Sequence, residues 1–242
     1  DIFEAPIAVY YDDTYVPSLQ GQVFGTFDLE RIEVLKGPQG TLFGKNATGG
    51  LVHFIPRKPT REIEGYGEVS YGRFNSVRTE GAVSGPLSDA VRMRASVLYS
   101  RQGNYLKNVY PSGTTFIPPM PFGPSVGEDL GGENTLAGRL QFEVDLSDRF
   151  HARLTGTAAR LRLGTAPYSS RGLQPVFNAS GQHIETIALP IGTPDGLGFI
   201  APSPTSSQTG SDFAGDNGYH LRSYDTSLHL TYEFDSFDVV AV

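Results

Sequence analysis

Phe27-Asp-Leu-Glu-Arg-Ile-Glu-Val-Leu-Lys-Gly-Pro-Gln-Gly-Thr-Leu-Phe-Gly-Lys-Asn-Ala-Thr-Gly-Gly50 is the stretch whose reading decides the fold. Residues 32–36 alternate apolar and polar side chains, the period of a strand. Gly37-Pro38 then sets proline at a helix start, where its fixed φ and missing N–H cost nothing. Residues 39–43 have room for one or two helical turns, and Gly44 ends them as a natural C′ residue. Residues 45–50 turn the chain into a second strand at 51–55. With the upstream run Pro6-Ile-Ala-Val-Tyr10, this makes residues 1–59 a small mixed α/β unit punctuated by glycine turns.

The pattern changes near Pro59. From Glu62 onward apolar and polar residues alternate, which predicts strands at 62–73, 76–85, 90–102, 135–146, 149–161 and 222–234, with a seventh starting at Phe237. In 135–146, Leu136, Leu140, Phe142, Val144 and Leu146 oppose Arg139, Gln141, Glu143 and Asp145. The connections are unequal. Gly85-Pro-Leu-Ser-Asp89, Ser147-Asp148 and Asp235-Ser236 are tight turns, whereas 104–133 and 164–221 are long and rich in Gly, Pro, Ser and Thr. In an antiparallel meander all the long segments then fall on one rim. That asymmetry, with strands of roughly 9–11 residues, matches a transmembrane β-barrel. Phe142, Phe150, Phe234 and Phe237 toward the turns, and Tyr71, Phe74 and Tyr105 toward the loops, suit aromatic belts. Glu64, Glu68 and Glu80 near Arg78, Arg92 and Arg94 suit a wet interior with charges paired across strands. A soluble β-sandwich alternates as well, but it does not require the long loops to share a rim.

Composition narrows the function. Gly and Pro together make 46 of 242 residues, which argues for turns and against a helical bundle. With no Cys there is no disulfide framework and no thiolate chemistry. A net charge of −7 gives no general attraction to nucleic acid or to acidic lipid surfaces. No apolar run reaches the roughly 18 residues of a membrane helix. Asp1-Ile-Phe-Glu and Val239-Val-Ala-Val242 read as cut ends, so an internal piece of a longer protein is expected.

The segment quoted first resembles the plug domain of TonB-dependent outer-membrane receptors. The resemblance rests on Arg31-Ile-Glu33-Val, Gly37-Pro38, Leu42-Phe-Gly44 and Gly49-Gly50, with Gly40 inside the short helix. Upstream, Ala8-Val-Tyr-Tyr-Asp-Asp-Thr-Tyr15 is similar to a plug strand and turn, and 65–71 and 81–87 resemble the first barrel strands. Asp13 stands where a turn glycine is common, and Val52-His53-Phe54 lies where the family usually has an asparagine. The resemblance implies a C-terminal part of a plug at 1–59 and the N-terminal part of a barrel at 60–242, with extracellular loops near 104–133 and 164–221. About 22 strands make a complete barrel of this kind, so about seven leave it incomplete.

By the same resemblance the protein is an outer-membrane receptor. It would take up a scarce nutrient, most often an iron–siderophore chelate, by TonB-energised transport. Its partners would be the extracellular ligand, outer-membrane lipid and the TonB complex, the last through a segment that this chain does not include. The signature residues Arg31, Glu33, Gly37, Pro38, Gly40, Gly44, Gly49 and Gly50 are then structural. Ser18, Gln20, Gln22 and Phe24, on the loop after the aspartate turn, are the candidate ligand contacts: they offer hydrogen bonds and one stacking surface.

Sharper chemistry is poorly supported. Gly40-Thr-Leu-Phe-Gly-Lys45-Asn46 is one residue short of a phosphate loop and lacks its hydroxyl. The five histidines, His53, His151, His183, His220 and His229, form no metal-binding pair at helical spacing; His151 and His229 on polar strand faces read as lining an interior. Asp12-Asp13 are turn formers before they are cation ligands. No nucleophile, base and acid set stands out, so no enzyme and no cofactor are expected. The alternative function is a soluble extracellular β-protein that binds carbohydrate through its long polar loops.

Overall fold

A computed structural model describes residues 7–16, 26–43, 47–109, 129–164, 173–190, 192–194, 203, 207–209 and 218–242. The chain is mainly β. Its first unit is a four-stranded mixed sheet of β1 (Ile7–Tyr11), β2 (Thr14–Tyr15), β3 (Leu29–Lys36) and β4 (Gly50–Pro56), with the single helical turn α1 (Gly40–Phe43) between β3 and β4. The order is β2-β1-β4-β3, with β1 parallel to β4 and the other pairs antiparallel. Ala8, Ala47 and Leu51 form its small core, flanked by Tyr10, Tyr15, Leu35 and Phe43. The Tyr10 hydroxyl donates to the Phe43 carbonyl, tying the helical turn to β1. Gly44 lies outside the described residues.

Gly50 is the signature glycine with the clearest physical reason. Its φ is +140°, and a Cβ there would sit 2.5 Å from the Leu35 carbonyl oxygen across the β3–β4 pair. Gly37 has φ +82° but open space around the missing Cβ. Gly50→Ala is therefore expected to cost well over about 1–3 kcal/mol, the usual strain for one unfavourable backbone position, because a clash adds to it. Gly37→Ala should stay within that range. Thermal unfolding of the two variants checks the order, and equal loss would contradict it.

The second sheet has seven strands in an uninterrupted antiparallel meander: β5 (Glu64–Gly72), β6 (Ser76–Pro86), β7 (Val91–Gln102), β9 (Glu133–Ser147), β10 (Phe150–Leu163), β14 (Tyr219–Glu233) and β15 (Asp238–Ala241). Each end falls within three residues of the position read from alternation. The sheet is open, with β5 and β15 at its edges. The long connections leave from Gln102 and Leu163, at the same end of the sheet. They carry short strands that alternation did not reveal: β8 (Lys107–Asn108), the hairpin of β11 (Leu173–Phe177) with β12 (His183–Ala188), and β13 (Gln208–Thr209). Pro175 inside β11 hid it from a strand reading. The hairpin closes through the Asn178 side chain, which accepts hydrogen bonds from the Ser180 and Gln182 amides. β8 and β13 pair with each other, so the two long connections meet above one rim.

Register assigns the faces. The row Arg92, Arg94, Ser96 and Leu98 on β7 meets Glu143, Gln141, Arg139 and Ala137 on β9 and continues through Arg153, Thr155, Thr157 and Ala159 to His229 and Ser227 on β14. This polar face is the covered one: it packs on the four-stranded sheet and on residues 26–28. The apolar face looks away. Leu140 is 42% exposed and Leu228 48%, and Phe142 and Leu230 are only half-buried. No second sheet or helix covers them among the described residues. The inversion, greasy outside and charged inside, is what a lipid-facing wall requires. At the turn end Phe237 stacks on Phe234, which in turn meets Tyr232 at a tilt. Phe142 does not belong to that belt, since it pairs with Met93 and Leu154 inside the apolar band.

Candidate functional site

Two short elements bring the first unit to the wall. One is the turn after β1, where Asp12 and Asp13 adopt φ +46° and +65°; aspartate tolerates this left-handed region because its short carboxylate bonds locally. The other is the segment before β3, where Asp28 also has positive φ. Both turns aim a carboxylate outward, and the wall answers each with an arginine.

Arg94 donates two hydrogen bonds to Asp28, at 2.8 and 2.6 Å, and both side chains are at most 1% exposed. A third bond from Arg94 reaches Glu64 at 3.1 Å. Glu80 accepts from the Asp28 amide at 2.9 Å while holding Arg78 and the Tyr66 hydroxyl. Arg153 donates to both oxygens of Asp12, at 2.7 and 3.0 Å. His229 lies 3.3 Å from the same carboxylate. Burial alone would push the Asp12 carboxyl up, but hydrogen bonds to His229 and Arg153 and the Arg153 charge outweigh it and hold the pKa down to about 2. Burial pushes the neighbouring Tyr11 phenol above its ordinary range.

Between the two pairs, Arg139 spans the seam. Its guanidinium stacks 4.4 Å over Phe27 and 5.0 Å over Tyr11 and donates to the Phe27 and Asp28 carbonyls. Phe27 itself packs with Leu98, Ala137, Ala159 and Leu161 of the wall, an apolar contact across the seam. Gln141 and Thr155 are buried beside it with side-chain atoms that find no partner among the described residues. The seam is thus one aromatic anchor within a field of paired charges.

Asp12, Asp13 and His229 bring three potential metal-ligand atoms within 4.8 Å of one another. The Arg153 fork already occupies both Asp12 oxygens, so the cluster is an ion pair with a histidine neighbour, and a cation would have to displace an arginine. His53, on β4, accepts a hydrogen bond from the Asp13 amide and is buried within the first unit. His151 pairs with Asp145 at 2.7 Å on the wall. His229 does line the interior, as its strand position predicted. His183 and His220 lie apart from the seam.

Sequence reading missed the two aspartate–arginine pairs, since their partners are 66 and 141 positions apart. The expected pairing of charges across neighbouring strands holds for Arg92, which meets Glu143 and Asp145 on β9. Arg78 instead bonds Glu80 within β6, and Arg94 reaches past β6 to Glu64 on β5. Arg31 and Glu33 bond to each other at 2.8 Å on the exposed side of β3. Gly49 and Pro38 flank the turns that open β4 and α1. Ser18, Gln20, Gln22 and Phe24 lie outside the described residues.

A polar-lined wall with an apolar outward face and a small sheet lodged against its inner face is the architecture of a plugged barrel. Residues 4–51 match the TonB-dependent Receptor Plug Domain, and the chain as a whole is similar to segments of outer-membrane receptors. It is 27% identical over 150 residues to the pesticin receptor of Yersinia pestis, covering 62% of this chain and 20% of that protein. To the ferripyoverdine receptor of Pseudomonas aeruginosa it is 38% identical over 79 residues, 32% of this chain and 10% of that one. The chain therefore spans about a fifth or less of the length of these curated relatives. Among solved structures, the ferric yersiniabactin uptake receptor of Yersinia pestis superposes with TM-score 0.65 at 20% identity, over 97% of this chain and 30% of that one. A ferripyoverdine-bound receptor of Pseudomonas aeruginosa gives 0.58 at 19% identity, over 94% and 25%.

Proposed function

We propose that the whole protein takes up an iron–siderophore chelate across the outer membrane by TonB-energised transport, and that it is no enzyme. Residues 1–59 serve as the C-terminal part of an α/β plug and 60–242 as the first strands of a closed barrel, with the segments near 104–133 and 164–221 as extracellular loops. The observation that carries this reading is the polar seam. A stopper bedded on hydrocarbon would be held by its buried apolar area, and pulling it away would expose that area to water. Buried ion pairs behave differently. They fix register, but their net contribution is small because the desolvated charges regain water when separated. A plug held mainly by Asp12–Arg153 and Asp28–Arg94 is well located at rest and releasable under force.

The relatives' names supply the ligand class: they are receptors for ferripyoverdine, ferric yersiniabactin and pesticin. Ser18, Gln20, Gln22 and Phe24 are the proposed ligand contacts, and the signature residues from Arg31 to Gly50 keep the plug in shape. Ile32 and Val34 on β3 stay exposed here, which suits an inner surface awaiting the remaining strands. A soluble carbohydrate binder would not leave Leu140, Leu154 and Leu228 facing outward.

Growth of a deletion strain complemented with the full-length gene tests the proposal. Under iron limitation, one or more ferric chelates in a panel should restore growth, and loss of the energy-coupling protein should abolish the rescue. Rescue by glycans alone, or rescue that persists without coupling, would count against it.

A further inference from the structure

The outward face of the wall carries charge in one place only. From β5 to β14 the outward positions are Gly, Ala, Val, Leu, Met, Phe, Thr and Tyr, and no Asp or Glu occupies any of them. At the loop end this changes abruptly. On β7, Arg101 follows Tyr99; on β10, Arg160 and Arg162 follow Ala158; on β14, Arg222 and His220 lie beyond Tyr224. All five basic side chains are exposed. None of the four guanidiniums has an ion-pair partner among the described residues, although the wall's inner arginines Arg78, Arg92, Arg94 and Arg153 are all paired.

Register makes the cluster more unusual. Arg160 stands directly opposite Arg222 on the neighbouring strand, and Arg162 opposite His220. Like charges facing each other across an antiparallel pair, with Cβ atoms about 4.5–5.5 Å apart, repel and destabilise the sheet unless an anion lies between them. Arg101 and Arg162 also flank Asn134 in register, and with His220 they line a cleft of about 470 Å³ at the rim. The carboxylates bordering that cleft, Asp129 and Glu133, belong to the loop and to the inner face.

We propose that this patch binds the phosphate groups of an anionic lipid in the outer leaflet. On β7, β10 and β14 the outward positions run in the same order toward the loops: an apolar band, then tyrosine or alanine, then arginine, which is the sequence of environments from acyl chain through interface to headgroup. On β14 the band runs from Tyr232 to Tyr224, nine residues, the length of one tilted crossing. The basic residues therefore stand at headgroup height on the loop side, pointing away from the interior and from any cargo passing through it. Arginine suits the task because its planar fork binds phosphate oxygens in pairs, and two opposed forks can share one phosphate. The proposal rests on the outer-membrane location and not on the identity of the transported ligand.

The test uses the full-length receptor, purified in detergent and titrated with diphosphorylated lipid A, with the same lipid stripped of phosphate, and with inorganic phosphate. Bound lipid is read by native mass spectrometry. The wild type should retain the diphosphorylated lipid in preference to the stripped one. Each arginine near an anionic headgroup is expected to contribute about fivefold, so Arg160→Gln with Arg222→Gln should weaken binding about twenty-five-fold. Arg160→Lys with Arg222→Lys, which keeps the charges but loses the forks, should bind between the wild type and the glutamine variant. Unchanged heat-modifiable migration on gels confirms that the variants fold, and chelate-dependent growth should persist, which separates this proposal from the transport reading. Equal retention by the glutamine variant, or equal binding of the stripped lipid, overturns it. Inorganic phosphate binding as tightly as the lipid would assign the patch to the free anion and overturn it too.

Discussion

Asp28→Ala should weaken the seating of the plug more than any other single change in the described residues. It leaves Arg94 fully buried with only half of its former partners, and removing one member of a buried ion pair typically costs about 3–5 kcal/mol. Glu64 remains within 3.1 Å of Arg94, so the loss should lie at the lower end of that range. It also exposes the Asp28–Glu80 contact to competition, since the amide of residue 28 is held by Glu80. The expected readout in the full-length receptor is a lower midpoint of thermal unfolding and faster limited proteolysis within residues 26–56, while the barrel keeps its heat-modifiable migration. Adding Arg94→Met should recover much of the loss, because the second change removes the stranded charge and fills the space with hydrocarbon. If Asp28→Ala were silent, or the double variant worse than the single, the pair would not be what seats the plug.

The second large effect is a dependence on acid that Asp12 introduces. Its carboxyl is held at about 2 when folded, against about 3.9 in an unfolded chain. A depressed pKa favours the folded form wherever the unfolded carboxyl is already ionised, so the contribution is complete above pH ~4. It then declines as pH falls toward 2, where the folded carboxyl also takes up its proton. The size is about 2–3 kcal/mol, because each tenfold difference in proton affinity between the folded and unfolded chain is worth about 1.36 kcal/mol. Arg153→Met should reduce this acid sensitivity and lower stability at neutral pH, leaving His229 as the carboxylate's remaining close partner. Stability measured from pH 2 to 6 in the two proteins checks it; parallel curves would mean that Arg153 does not set the Asp12 pKa.

Both effects sit at a place that the linear chain conceals. The alternation of Leu136, Leu140, Phe142 and Val144 with Arg139, Gln141 and Glu143 is a local property, and it located the strands because a pleated backbone turns every second residue the same way. The run from Arg31 to Gly50 is equally local: a strand, a proline, one helical turn and a glycine whose missing Cβ lets β4 approach β3. Pairing of Asp12 with Arg153 is not local. It depends on where a two-residue turn comes to rest against a strand 141 positions away, and no periodicity carries that information. The same holds for the short strands within the long connections, where Pro175 and the Asn178 turn masked a hairpin.

The amino-acid sequence alone determined that this chain is a β-meander with one greasy face, preceded by a glycine-punctuated plug, because backbone geometry converts residue spacing directly into sides and turns. Which carboxylate meets which arginine was decided only when the two sheets packed, and that Arg160 and Arg222 confront each other at the rim only when β10 paired with β14. Those facts depend on register and on burial against a distant partner, and both are properties of the assembled fold.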